Sequence, residues 1–393
     1  MVRILAIAPI IGSTGDTVNE YQTLMAVSQY SKEVFVITPL DVRALFKRTY
    51  KTYLTRRPPT MRVLPIPFAL LPFDQLWIVN IPIFTLYSLV FLFIVYFLDL
   101  YKNFDLIYIR DPRFALFISF SKRLSRKTFV KIAALVEEGI YTDFLRRLTE
   151  LIVCSIDRHV MSRVAGVVVH SIEFAKHLVL RRRFLPRKII ELPPGITWAI
   201  INRVKKYCPR TRKDYSKGEV VIGFLGLLAK WQGVDILCDV VAELNRRGCK
   251  AKLKVIGDGP LRRFLVNRCR SLGVEVEITG FIPHHKALCM ARKEFDVLVL
   301  PRIQTETTSS IVPIKVIEAL ALGIPVITTD LPAYKKLEGR GLYTSKRTPK
   351  HFADTILKVL ANPSKVVSSL LLQRYSYEFN VKRFLRIALG SRT

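Results

Sequence analysis

Acidic residues are scarce in this chain. Asp and Glu number 31 against 62 Lys and Arg, a formal net charge of +31 over 393 residues. That excess points to an anionic partner: nucleic acid, an acidic lipid surface or phosphorylated substrates. Charge alone does not choose among them. Cysteines are few, and the six (Cys154, Cys208, Cys238, Cys249, Cys269 and Cys289) include no C-x-x-C pair and none beside a histidine at zinc-finger spacing. They read as mostly buried small apolar side chains of a cytosolic protein. The apolar stretch Met1–Gly12 is short, lacks a small-residue cleavage site and runs into a loop and helix, so it reads as a first strand and not a signal peptide. No solenoid repeat, low-complexity segment or carboxylate cluster suited to a metal is visible. Nor is there a helix-turn-helix, zinc finger or aromatic–basic module, which argues against nucleic acid as the partner.

What is present is hydrophobic residues, half of the chain, enough for sizeable cores in two or three domains. Apolar β-branched runs alternate with helical stretches. In the first half, strands are expected near Arg3–Ala8, Val34–Thr38, Arg62–Ile66, Leu106–Ile109, Phe129–Leu135, Gly166–Val169 and Ile189–Leu192. The first five lie far enough apart for helical crossovers, the pattern of a parallel sheet covered on both faces. The charged stretch after Ile200 reads as a linker. A second series follows, with strands near Val220–Leu225, Lys252–Ile256, Glu275–Thr279, Val297–Leu300 and Val326–Thr328, and helices near Val234–Arg247, Leu261–Leu272, His285–Lys293 and Pro313–Leu322. The expected organisation is an α/β chain of two Rossmann-like, doubly wound domains facing across a cleft. Residues 1–200 form the first, 201–218 the linker, 219–365 the second, and 366–393 a helical segment packing back on the first. Open α/β sheets bind ligands at the carboxyl ends of their strands.

Residues 76–98 read LWIVNIPIFTLYSLVFLFIVYFL, without a charge. As a helix the segment would be ~34 Å long, enough to cross a bilayer. Crossing would put the third and fourth strands on opposite sides of the membrane, so spanning is rejected in favour of a helix buried between them. A middle course has it partly buried and partly in one leaflet, aided by basic pairs such as Lys122-Arg123 and Arg146-Arg147. The corresponding location is the cytoplasm, peripheral on the inner face of the cell membrane.

Four segments of the second half carry a family likeness. They are Ile222-Gly223-Phe224-Leu225-Gly226 continuing to Trp231-Gln232-Gly233-Val234-Asp235; Val255-Ile256-Gly257-Asp258-Gly259-Pro260; Ile278-Thr279-Gly280-Phe281-Ile282-Pro283 with Phe295–Pro301; and Pro313–Val326, which reads PIKVIEALALGIPV. In this order the chain resembles glycosyltransferase family 4, the retaining group 1 type of GT-B architecture. Asp105–Pro112 and Leu192–Ile196 extend the likeness more weakly into the first half.

The resemblance implies a nucleotide-diphosphate sugar as donor and no cofactor or metal. The loop Thr307–Val312, with Ser309, Ser310, Ile311 and Val312 ahead of a helix opened by Pro313, suits a diphosphate cradle. So does the first-domain loop from Gly12 to Gly15. Glu318 matches the glutamate that binds ribose hydroxyls, a sensible task for a carboxylate; the bland alternative is a Glu complementing the helix dipole. Lys230, Arg302 and Lys315 are candidate cations for the diphosphate, and Gly226, Gly257 and Gly259 candidate turns. The expected chemistry is front-face transfer with retention, the leaving phosphate helping to deprotonate the acceptor, a glycan or lipid-linked molecule.

Several family features are missing. The first of the family's paired glutamates falls at Ser310, and the usual Arg and Lys of the diphosphate grip fall at Leu227 and Gln232. The histidine after the fifth strand is absent; Glu137 and Glu138 stand there. Glu138 is the candidate for orienting the acceptor hydroxyl, against the alternative of a plain loop carboxylate. His170, ending the next strand, reads as structural. A competing reading is therefore a catalytically degenerate relative, a nucleotide-binding or scaffold protein of a glycan-assembly complex.

Overall fold

The computed structural model describes residues 1–10, 15–41, 57–68, 77–135, 143–210, 219–362 and 373–390. The chain divides into two compact units. One is Met1–Gly12 with Asp16–Pro193 and Tyr377–Thr393; the other is Pro194–Ser376 with Ser13–Gly15.

The first unit contains β1 (Val2–Ile7), α1 (Gly15–Gln29), β2 (Ser31–Asp41), β3 (Met61–Phe68), α2 (Trp77–Phe97), β4 (Leu106–Arg110), β5 (Thr128–Ile132), α3 (Asp143–Arg163), β6 (Gly166–Val169), α4 (Ile172–Arg182) and β7 (Ile189–Glu191). All seven strands are parallel, in the order β3-β2-β1-β4-β5-β6-β7. Ile4 of β1 registers with Val34 on one side and Leu106 on the other. Parallel pairing with helices on the faces buries strands completely, so β5 (TFVKI) and β6 (GVVV) carry no exposed position.

The second unit contains α5 (Trp198–Tyr207), β8 (Val220–Leu225), α6 (Leu237–Arg246), β9 (Ala251–Ile256), α7 (Arg262–Ser271), β10 (Val276–Ile278), α8 (His284–Glu294), β11 (Val297–Leu300), α9 (Glu306–Ser310), α10 (Ile314–Ala321), β12 (Val326–Thr329), β13 (Leu342–Ser345) and α11 (Pro349–Ala361). Its sheet is parallel too, in the order β10-β9-β8-β11-β12-β13. In each sheet the chain starts in the middle, builds outward to one edge and then returns to build the other. The switch points lie between β1 and β4 and between β8 and β11, where open sheets part to admit a ligand.

The structure departs from the sequence reading in four places. Trp198–Tyr207 form α5, so residues 201–207 of the expected linker 201–218 are helical. Its basic residues face solvent while Ile201 and Val204 are buried one turn apart. β13 extends the second sheet by a strand of only four residues, two of them partly exposed, too weak a hydrophobic signal to stand out. The segment read as one helix from Val234 begins with a tighter 3₁₀ turn, Val234–Ile236, before α6. The cysteines, read as mostly buried small apolar side chains with occasional disulfides left open, include two such bonds. Cys208–Cys289 ties the end of α5 to α8 and Cys238–Cys269 ties α6 to α7. Cys154 and Cys249 take no part in either disulfide.

After the second unit, α12 (Tyr377–Leu389) belongs to the first. The Tyr377 hydroxyl donates to Asn19 Oδ1 on α1 at 2.6 Å. Phe384 packs edge-on to Tyr108 of β4 and Phe129 of β5. Among the described residues no helix is long and apolar enough to cross a membrane. α2 carries no charge, and Phe84, Ser88, Phe91 and Val95, spaced three or four apart, are buried against the first sheet's side of the molecule.

Candidate functional site

At the carboxyl ends of β8 and β9 two glycine turns are stitched together. Gly226 N–H donates to the Ile256 carbonyl at 2.9 Å, and Leu228 N–H donates to the Asp258 carbonyl at 2.9 Å. Gly226 has φ +126° and Gly257 φ +146°, conformations that side-chain-bearing residues rarely adopt. A Cβ on Gly257 would collide with the Gly226 carbonyl, and one on Gly226 with Lys315 Nζ. The backbone is thus bare at these turns because another group approaches closely.

That group is a cation. Lys315, in the first turn of α10, reaches under the Gly226 turn. Its ammonium nitrogen is buried with no hydrogen-bond partner among the described residues and lies 5.1 Å from the centre of the Phe224 ring. Burial, reinforced by the Arg302 charge, pushes its pKa down to about 7; Glu318 opposes the shift. Arg302, after β11, is 5% exposed. Its Nη1 donates to the Ile311 carbonyl at 3.3 Å and its guanidinium stands 5.2 Å from the centre of the Trp231 ring. Two basic side chains therefore approach one strand-end region, an arrangement that a bound anion would favour.

Glu318, one turn along α10, is only 3% exposed. Its Oε1 lies 2.8 Å from Nε2 of His284, the first residue of α8. Burial would lower the His284 pKa, but the charge of Glu318 and its hydrogen bond outweigh burial and raise it. His284 was not among the residues singled out from the sequence. The available signal was its place directly after Ile278–Pro283, one of the family-like segments.

The remaining expected donor residues fall as follows. Gly259 is where a Cβ would meet Leu228 N at 2.6 Å, so it is part of the same stitched turn. Lys230 is exposed at the start of a 3₁₀ turn, Lys230–Gln232. Gly233, closing that turn, packs on the Pro301 carbonyl, which brings the turn beside Arg302. The segment expected as an open loop, Thr307–Val312, is a helical turn through Ser310. A capping box at Thr305 opens α9, whose Thr308 and Thr305 bond reciprocally. The Ser310 hydroxyl donates back to the Glu306 carbonyl at 2.7 Å, and the Ile311 amide to the Thr307 carbonyl at 3.1 Å. Ser309 is half-buried in α9, and Val312 half-buried before Pro313. The Ile311 amide is thus engaged within the protein, and the first turn of α10 is the remaining source of amides in this stretch. Gly15 opens α1. Gly12 and Glu138 lie outside the described residues.

In the first unit, the carboxyl ends of β4 and β5 hold a second ionisable group. Glu20 of α1 is fully buried; Lys131 Nζ donates to its Oε1 at 2.6 Å, Arg110 Nε lies 3.2 Å from the same oxygen, and the Tyr108 hydroxyl donates to Oε2 at 2.7 Å. Burial alone would raise the Glu20 pKa, but the two cations outweigh it and hold it down. His170 is buried, with Nδ1 3.2 Å from the Leu192 carbonyl, and burial together with Lys131 and Arg110 holds its pKa well below the usual value. A neutral, backbone-bonded ring matches its structural reading. Among the described residues no group of three or more His, Cys, Asp or Glu could hold a metal.

Residues 219–362 match the family model for group 1 glycosyl transferases. That match covers well under half of the chain. The matched segment contains the glycine turns, Lys315, Arg302, Glu318 and His284. Curated relatives include the 2-deoxystreptamine glucosyltransferase of Streptomyces kanamyceticus, 25% identical over 62% of this chain and 64% of its own length. The alpha-D-kanosaminyltransferase of the same organism is 24% identical over 56% of this chain and 58% of its own length. The chain thus spans about three fifths of the length of these relatives. Among solved structures, sucrose-phosphate synthase of Thermosynechococcus elongatus matches 98% of each chain with TM-score 0.71 and 15% identity. Anabaena HepE in complex with UDP and glucose matches 98% of this chain and 99% of that one, with TM-score 0.67 and 12% identity. These likenesses establish the fold as GT-B, built of two Rossmann-like units around parallel sheets.

Proposed function

We propose that the protein is a glycosyltransferase that moves a sugar, with retention, from a nucleotide-diphosphate sugar to an acceptor hydroxyl. The observation that carries this reading is the buried Lys315 ammonium beneath the Gly226 turn, with Arg302 nearby and one buried carboxylate, Glu318, a turn further along α10. A diphosphate would supply the anion that the two cations lack, and the amides of the first turn of α10 would add to its stabilisation. Glu318 Oε2 would accept from a ribose hydroxyl while Oε1 stays with His284. Lys230, on the turn beside Arg302, would add a charge at the entrance.

In the transfer step the bond from the sugar's anomeric carbon to the diphosphate oxygen breaks. The bond to the acceptor oxygen forms on the same face, and the acceptor proton passes to the leaving phosphate. The cations act where negative charge develops. Glu138 would orient the acceptor hydroxyl, and Gly12 and Gly15 are the glycines of a second proposed diphosphate cradle. The acceptor in this reading is a glycan or lipid-linked molecule, and no cofactor or metal takes part.

Release of nucleoside diphosphate from sugar nucleotides tests the proposal. UDP-glucose is the first donor to try, since HepE has been crystallised with it. Wild type should release UDP or another nucleoside diphosphate, and Glu318→Ala should lose at least about tenfold in kcat/KM. Nucleotide binding without release from any donor would favour the degenerate binder, a reading supported by the uncharged Leu227 and Gln232 at the family's cation positions.

A further inference from the structure

On α2, Phe84, Phe91 and Val95 are buried in one cluster with Ile107 of β4 and Val160 of α3. The opposite row, at the same three-to-four spacing, is just as apolar and open: Leu86, Leu89, Phe93 and Phe97 are 59, 46, 65 and 75% exposed. A helix that is hydrophobic all round is normally covered all round. α3 packs beside α2 and repeats the pattern, exposing Phe144, Leu148 and Leu151 at the same spacing while Val153 and Val160 are buried. Phe120, just after the first-unit turn that α2 packs on, is 58% exposed. Soluble monomers rarely show so many large apolar side chains on neighbouring elements.

The surroundings identify the occupant. Lys102, Lys122, Arg123, Arg126, Arg158 and Arg163 are exposed around the end of α2, the turns after it and the end of α3. Asp99 and Glu150, acids on these same segments, are already paired, Asp99 with Lys102 at 2.9 Å and Glu150 with Arg181 at 3.2 Å. Arg123 stands 4.7 Å over the Tyr101 ring and Arg163 5.6 Å from the centre of the Phe120 ring, so guanidinium groups and aromatic rings share one level. We propose that this face seats the protein on an anionic lipid bilayer, with α2 and α3 lying in the interface, their open rows among the acyl chains and the basic rim at the headgroups. A second copy of the chain is the poorer occupant, because symmetric pairing of this face would oppose two basic rims. The docking does not depend on donor chemistry, so its failure would leave the transferase reading untouched.

Co-sedimentation of the purified full chain with vesicles tests the proposal. With vesicles of phosphatidylcholine and phosphatidylglycerol the chain should pellet, and with phosphatidylcholine alone binding should fall about tenfold or more. Raising the salt from about 0.1 M to about 1 M should release most of it. The double variant Phe93→Asp, Phe97→Asp should lose binding about a hundredfold, because two exposed aromatic side chains no longer insert. A far-ultraviolet spectrum and Tm matching wild type report that the variant is folded. Equal binding to neutral and anionic vesicles, unchanged binding by the double variant, or a stable dimer in place of vesicle binding would each overturn the proposal.

Discussion

Lys315 is the residue with the sharpest consequence. Its folded pKa of about 7 lies well below the ordinary 10.5, so above neutrality burial and the Arg302 charge hold it uncharged. In the free protein the unfolded chain then binds the extra proton, and the contribution of this group to stability grows as pH rises from about 7 towards 10.5. Diphosphate binding works in the opposite direction, since the anion favours the ammonium. Affinity for a nucleoside diphosphate should therefore fall by up to about tenfold per pH unit above pH 7 and flatten below it. Calorimetry in buffers of different ionisation enthalpy should record proton uptake on binding at about pH 8. Lys315→Met should abolish both the uptake and the slope, at a loss of about ten- to a hundredfold in affinity near neutral pH. A wild-type affinity independent of pH would place the diphosphate elsewhere.

His284 acts through Glu318. Its folded pKa is raised above 6.5, so its stabilising contribution is fully present below pH 6.5 and is lost as pH climbs through the folded value. The gap in Tm between wild type and His284→Ala should be widest in mild acid and narrow above neutrality. At its widest it corresponds to about 2 kcal/mol for a charge-assisted buried hydrogen bond. As a positioning residue it should also matter for the ribose: His284→Ala should bind ribo- and deoxyribonucleoside diphosphates more nearly equally than wild type does. A substitution that lowers Tm equally at all pH values would contradict the pairing.

At the level of elements, the strands of both sheets were legible because β-branched runs buried on both faces need no context to be recognised. Val220–Leu225, Val297–Leu300 and Gly166–Val169 appear with the bounds their residues suggest. The open turn expected at 307–312 was not legible as α9, because its formation depends on the Thr305–Thr308 capping box and not on hydrophobic period. α5 was hidden by its basic residues. The disulfides could not be read at all: partners 31 and 81 residues apart leave no local spacing. Each closes a loop long enough to constrain the unfolded chain by about 4 kcal/mol in the chain-entropy account. The paired variants Cys208→Ser with Cys289→Ser and Cys238→Ser with Cys269→Ser should each lower Tm of the second unit markedly while leaving that of the first unchanged. Equal loss in both units would show that the bonds are not where the structure has them.

At the level of the whole molecule, the charge of +31 admitted several anions, and the structure divides the basic residues by task. Lys315 and Arg302 are withdrawn from water at strand ends, where a small anion would be gripped. Lys122, Arg123, Arg126, Arg158 and Arg163 stand in solvent beside an uncovered apolar face. Lys131 and Arg182 are neutralised internally by Glu20 and Asp157. The strand-end turns of the proposed donor region were legible in the sequence, since turn glycines and the PIKVIEALALGIPV helix are local features. The sequence pattern missed His284 and Glu20 because a pairing partner from a distant element is a product of the fold.

The account rests on a pyrophosphate held against α10 with its ribose on Glu318. Calorimetric titration of wild type and Glu318→Ala with a panel of nucleoside diphosphates measures this directly. At least one should bind wild type, and Glu318→Ala should weaken that ligand by at least about tenfold while its far-ultraviolet spectrum and Tm show a folded protein. Equal affinity in the two proteins, or binding to neither, would contradict it.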